Sequence, residues 1–95
     1  MNKDEARVIL RAELDRYRER TYAELCALVD ADTHTFTVTG PSGAEYQIEV
    51  DVLWEWRPGS NVRIFGSIDD GGWSAFVPVS DSFIKAPDGS FVGED

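Results

Sequence analysis

The chain has 95 residues, of which 42% are hydrophobic, and its 18 acidic and 9 basic residues give a formal net charge of −9. This length supports a single domain with one core, and the hydrophobic content excludes a disordered chain. Because nucleic-acid affinity comes mostly from Lys and Arg contacts to phosphates, the charge argues against a nucleic-acid partner. It fits a basic protein partner, self-association or simple solubility.

The sequence also bears on the compartment. No stretch approaches the roughly 20 apolar residues that span a bilayer, and the charged start Met1–Glu5 is followed by no apolar signal segment. The single cysteine, Cys26, cannot form an internal disulfide, which fits a reducing compartment. We therefore expect a cytoplasmic protein that has no membrane partner.

Two helices are predicted at the N-terminus. Asn2 is placed to cap the first, with Glu5 three residues later in the capping-box position. Thr21 and Glu24 repeat this pattern, so the first helix is expected to end there and a second to run to about Val29. The apolar residues of the first helix fall at helical spacing on one stripe: Ala6, Ile9, Leu10, Leu14 and Tyr17.

The central stretch Glu45–Trp56 is the longest predicted strand, because its apolar residues recur at every second position. These residues are Tyr46, Ile48, Val50, Val52, Trp54 and Trp56. Side chains alternate between the two faces of a strand, so this series is expected to face the core. Leu53 is the one apolar residue in the opposite, polar series.

A shorter strand at residues 34–39 is predicted to form a hairpin with the central strand. The Gly-Pro-Ser-Gly sequence at 40–43 suits a three-residue loop in which Gly43 takes the left-handed position. This loop pairs Val38 with Tyr46 and so places the apolar residues of both strands on one face.

The third strand is predicted at residues 61–69, after the turn signal Pro58-Gly59. A three-residue loop here requires helical backbone at Arg57, which a residue before proline avoids. We therefore expect a bulge near Trp56 to resolve the conflict.

An Asp70-Gly71 turn predicts a fourth strand that sets Ile64 opposite Val77 and Phe65 opposite Phe76. Two short apolar runs in the tail suggest a further small hairpin. Residues 1–95 are thus expected to form a single α+β domain, with two N-terminal helices packed on one face of a four- to six-stranded antiparallel meander sheet.

The sheet face away from the helices carries a predicted apolar patch of Leu53, Phe65 and Phe76. Soluble monomers seldom leave such patches open. Either Phe83, Ile84 or Phe91 of the tail, residues 80–95, folds over the patch, or the patch binds a partner or a second copy of the chain. The carboxylates expected around the patch are Glu49, Asp51 and Glu55. The second interpretation describes a non-catalytic protein-binding module, regulatory or immunity-like, with a basic partner.

The tryptophans Trp54, Trp56 and Trp73 supply an alternative function. Near two hairpin ends, their rings could stack on a sugar, a nucleotide or a peptide. Trp54 and Trp73 fall on the predicted core face, however, so the competing interpretation is that they close one end of the core.

Catalysis is the least favoured hypothesis. His34 and Cys26 are the only residues of their types, and no pattern of zinc ligands or catalytic triad surrounds them. The strand carboxylates have the spacing of any solvated face. We expect no catalytic residue, no metal and no cofactor.

Several turn and cap motifs together resemble a family of small uncharacterised bacterial proteins. They are Thr21-Tyr22-Ala23-Glu24-Leu25, Thr39-Gly40-Pro41-Ser42-Gly43 leading into Tyr46-Gln47-Ile48-Glu49, Gly66-Ser67-Ile68-Asp69-Asp70-Gly71-Gly72-Trp73, and Ala86-Pro87-Asp88-Gly89-Ser90-Phe91-Val92-Gly93-Glu94. The resemblance covers most of the chain. It implies a compact bacterial domain and assigns a role to no residue.

Overall fold

A computed structural model describes residues 1–72 and 77–94 of the chain. The elements, in chain order, are helices α1 (Lys3–Arg18) and α2 (Tyr22–Leu28) and strands β1 (His34–Thr39), β2 (Glu45–Trp54), β3 (Val62–Asp69) and β4 (Val79–Lys85). The strands form one antiparallel sheet in the order β1-β2-β3-β4. Both helices pack against this sheet, which confirms the predicted α+β architecture.

Local capping chemistry starts both helices where the sequence predicts. The Asn2 side chain accepts a hydrogen bond from the Glu5 backbone N–H at 3.1 Å. Thr21 and Glu24 form both bonds of a capping box, at 3.1 and 2.9 Å. The Glu5 carboxylate accepts instead from Ser42 in the first hairpin loop, so it ties α1 to that loop.

The core lies between the helices and one face of the sheet. Its most deeply buried large side chains are Leu10, Leu25, Tyr46, Ile48, Val62, Ile64 and Ile68. α1 approaches β3 closely at Gly66, where a Cβ atom would lie 3.0 Å from both the Leu10 and the Leu14 side chains. A glycine at this position therefore sets how closely the helix packs on the sheet.

The register of the first hairpin is confirmed. Val38 faces Tyr46 across β1 and β2. The Gly40 N–H donates to the Ala44 carbonyl at 2.8 Å, and Gly43 has a φ of +89°. These features match the predicted three-residue loop, whose left-handed position suits glycine.

The loop between β2 and β3 has no need of the predicted bulge near Trp56. The Ser60 N–H donates to the Arg57 carbonyl at 3.0 Å, and Gly59 has a φ of +88°. Pro58 and Gly59 are therefore the two central residues of a type II turn, which favours proline at the first of them and needs a positive φ at the second. Arg57 is only its first residue and needs no helical backbone, so the longer loop keeps the apolar faces of both strands matched.

The predicted fourth strand is wrong. β3 pairs with Val79–Lys85, and Ile64 faces Phe83 instead of Val77. The exposed fractions give the reason, because Phe83 is 3% exposed in this arrangement whereas Val77 is 72% exposed. The larger ring from farther along the chain fills the core, and the connection after β3 is longer than a two-residue turn.

The tail packs at the C-terminal end of α1. Lys85 and Phe91 form an antiparallel bridge, and the Ala86 N–H donates to the Ser90 carbonyl at 2.8 Å and the Val92 N–H to the Ile84 carbonyl at 2.9 Å, which confirms the predicted small terminal hairpin. The Lys85 ammonium group donates to the carbonyls of Arg18 and Arg20 at 3.1 and 2.7 Å. The Arg18 guanidinium lies 4.7 Å from the Phe83 ring and 5.0 Å from the Phe91 ring. These contacts hold the tail on the helix side of the sheet.

Candidate binding surface

The face of the sheet opposite the helices, here called the outer face, has no helix or strand covering it within residues 1–72 and 77–94. The strand registers define which side chains lie side by side on it. Leu53, Arg63 and Ile84 form one row across β2, β3 and β4. The next row is Asp51, Phe65 and Ser82, so the residue paired with Phe65 on β4 is Ser82 and not the predicted Phe76. Phe76 itself lies outside the described residues.

Three apolar side chains on this face, Leu53, Phe65 and Ile84, form what we call the outer patch. Leu53 is 49% exposed and Phe65 is 39% exposed. Ile84 is half-buried and comes from the tail. Ile84 was predicted to reach the patch as part of a tail folded over it, and it is instead an outward-facing residue of β4. The in-out alternation of Phe83 and Ile84 was the signal for this strand position.

The tail does not cover this patch with the phenylalanines expected to do so. Phe83 is buried on the core side, and Phe91 contacts it with ring centroids 5.8 Å apart. Ile84 lies in the plane of the sheet beside Arg63, which separates it from Leu53, so it does not lie over Leu53 and Phe65. Among the described tail residues, therefore, the structure joins one side chain to the patch and directs two away from it.

Arg63 lies between Leu53 and Ile84 in the outer patch, and hydrogen bonds hold its guanidinium in place. Its guanidinium donates to the two carboxylate oxygens of Glu55 at 3.0 and 3.2 Å and to the Ser82 hydroxyl at 3.3 Å. Hydrogen bonding to Glu55 raises the pKa of Arg63 above its ordinary value. Exposed pairs add little stability, so their main effect here is to fix the position of a planar cation among apolar side chains.

Carboxylates dominate the charge of the outer face. Glu49 is exposed, and Asp51 accepts a hydrogen bond from the Thr33 hydroxyl. Six charged residues face outward on β2, at the position that follows its last pair and on β3. Five are acids and one is a base: Glu45, Glu49, Asp51, Glu55, Asp69 and Arg63. A negative face of this kind favours a positively charged surface as its partner.

The tryptophans have different environments. Trp54 is half-buried against the core, whereas Trp56 is 73% exposed beyond the end of β2. The Arg57 guanidinium lies 4.4 Å from the Trp56 ring and covers one of its faces. Trp73 lies outside the described residues. Ligand binding by the three tryptophans stays a prediction.

The two single residues weighed for catalysis both lie in ordinary packing contacts. His34 is exposed, and its Nδ1 lies 3.1 Å from the Tyr17 hydroxyl. Burial raises the pKa of Tyr17. Cys26 is a half-buried free thiol on α2. Within the described residues, no three His, Cys, Asp or Glu side chains are grouped closely enough to hold a metal ion.

Comparisons with known proteins give no functional information on this chain, so a functional proposal depends on the geometry of the outer face. The chain matches no protein-family profile, no curated protein and no solved structure. The resemblance to a small bacterial family therefore stays an expectation. Neither helix in the described part of the chain is long and apolar enough to cross a membrane.

Proposed function

We propose that this protein is a non-catalytic protein-binding module that uses the outer face of its sheet to bind a basic protein, as a small regulatory or immunity protein does. The supporting observation is the outer patch, in which Leu53 is 49% and Phe65 is 39% exposed. Apolar patches rimmed by polar residues mark interaction sites. A sheet whose other face is packed against two helices presents this patch on a rigid element.

The arrangement of the face fits the anatomy of a protein interface. Such interfaces have an apolar centre and a polar rim, and arginine is enriched among their most important contacts. Arg63 lies in the apolar centre, and Glu49 and Asp51 lie at the rim. The carboxylates would steer a basic partner toward the face, so we expect its association rate to fall as salt is added.

The experiment compares immobilised wild-type protein with two variants in capture from a lysate of the native host. Phe65→Glu places a charge in the outer patch. Ala27→Glu introduces the same charge on α2, where Ala27 is exposed, away from the outer face and not part of any groove beside β1. We expect one basic protein to bind the wild type and Ala27→Glu but not Phe65→Glu. The interaction is then measured by calorimetry with the purified partner.

Circular dichroism melting curves of both variants complete the design. Phe65→Glu should melt as a folded protein, because its side chain contacts solvent in the wild type. A captured partner that binds Phe65→Glu as tightly as the wild type contradicts the proposal. Unfolding of Phe65→Glu also contradicts it, since the ring would then be needed for the fold.

A further inference from the structure

β1 is an edge strand, and one of its two edges has no partner in the described part of the chain. The sheet order gives β1 a single neighbour, β2. The Gly40 N–H donates to the Ala44 carbonyl, so the bonds between β1 and β2 fall at alternate residues from that point. The backbone N–H and C=O groups of Thr35, Thr37 and Thr39 therefore face away from the sheet.

This edge lacks the features that normally prevent edge pairing. Natural edge strands are protected by charged side chains, proline or bulges. β1 contains none of these in its sequence His-Thr-Phe-Thr-Val-Thr, whereas the other edge strand, β4, contains Asp81 and Lys85. In a chain of net charge −9, an uncharged edge is where a second, equally acidic copy meets the least repulsion.

We propose that two copies of this chain pair antiparallel along β1 and so form one continuous sheet. The strand is self-complementary in the register that sets Thr37 opposite the second copy's Thr37. Thr35 then faces the second copy's Thr39, and the outward backbone groups of the three threonines form about six hydrogen bonds. Phe36 faces the second copy's Val38 on the helix side.

An apolar groove beside β1 supports this pairing. α1 lies over β3 and β4 and leaves a groove of about 520 Å³ between itself and β1. Its apolar lining is Val8, Ile9, Ala12, Phe36, Val38 and Ile48. Phe36 and Val38 are only partly buried. In the paired form the same two residues of the second copy lie beside them and reduce their exposure to water.

The pairing goes beyond the proposed function and is tested separately from it. The two outer faces point in the same direction in the double sheet, so two basic partners or one larger partner could bind. The variants that test pairing lie in β1, and those that test partner binding lie in β2 and β3. Each can fail while the other holds.

Thr37→Pro is the decisive variant, compared with Thr37→Ser by sedimentation velocity over a range of concentrations. Proline removes an N–H that faces outward, so the single copy loses no internal hydrogen bond. Reducing conditions keep Cys26 from forming a disulfide between copies. We expect wild type and Thr37→Ser to dimerise. Thr37→Pro should raise the dimer Kd at least about tenfold, as expected for two missing backbone hydrogen bonds.

A wild type that stays monomeric at every concentration overturns the proposal, and so does a Thr37→Pro dimer as tight as the wild type. Should Thr37→Pro fail to fold, Thr37→Asp tests the same contact. The side chain at position 37 is exposed in the single copy. In the proposed pairing it lies opposite the same position of the second copy, where two like charges are unfavourable. An unweakened Thr37→Asp dimer overturns the pairing as well.

Discussion

The two faces of β3 differ sharply although they share one strand. Ile64 on the inner face is 0% exposed, and the next residue, Phe65, is 39% exposed on the outer face. The inner side chains are enclosed by helices, whereas no helix or strand in the described part of the chain covers the outer ones. Neighbouring apolar residues thus lie in different environments: one face forms the core, and we propose that the other binds a partner.

Ile64→Ala should reduce the free energy of unfolding by about 2 to 5 kcal/mol, because it removes buried carbon atoms and leaves a cavity. Urea unfolding followed by tryptophan fluorescence measures the change. Phe65→Ala is the matched control from the adjacent position and should cost much less. Equal losses for the two variants would show that the outer face is packed as tightly as the inner one.

Lys85→Met tests a contact at the margin of the inner face. Lys85 is 8% exposed and donates to the carbonyls of Arg18 and Arg20. Methionine keeps the packing but leaves both carbonyls without this donor, so we expect a loss of about 1 to 3 kcal/mol in the free energy of unfolding. Lys3→Met, on the exposed first turn of α1, is the control. A Lys85→Met protein as stable as wild type would mean that water replaces the ammonium group without cost.

Glu5→Gln tests the link between α1 and the first hairpin through pH. The hydrogen bond from the Ser42 hydroxyl, joined by that of Tyr46, lowers the pKa of Glu5 below its ordinary value. A carboxyl with a lowered folded pKa contributes stability above its unfolded pKa and loses it as pH falls through the folded pKa. The variant should therefore be less stable than wild type at neutral pH, and the difference should vanish in acid. A difference that does not depend on pH contradicts this assignment.

Leu53→Ser should have the smallest effect on stability, within about 0.5 kcal/mol, because the side chain is half exposed on the outer face. The affinity for the basic partner should fall much more, by at least about tenfold, if Leu53 lies at the centre of the interface. Chemical denaturation and calorimetry measure the two quantities on the same preparation. A stable Leu53→Ser protein with unchanged affinity would remove Leu53 from the binding surface.

The features that local chemistry decides could be predicted from the sequence. The caps at Asn2 and Thr21 depend on side chains three residues apart. The first hairpin depends on one loop, and its turn residues and strand pattern point to the same register. Each of these features can be derived from a few neighbouring residues.

The features that depend on competition between distant parts of the chain could not be predicted in this way. An Asp-Gly pair is a strong hairpin signal, but here the Gly71 N–H donates to the Asp69 carboxylate at 2.8 Å, and the chain continues to a later strand. Which strand joins β3 depends on burying Phe83 against residues that come much earlier in the sequence. For the same reason the outer face could be predicted as a surface with Leu53 and Phe65, while the place of Ile84 within the sheet could not.

Methyl NMR of the complex with the captured basic partner compares the opposite sides of the molecule in one spectrum. The methyl groups of Leu53 and Ile84 report on the outer face, and those of Val8 report on the exposed side of α1. If the outer face is the binding surface, the signals of Leu53 and Ile84 shift or broaden on titration while those of Val8 stay unchanged. Shifts at Val8 with none at Leu53 and Ile84 would contradict the proposed function.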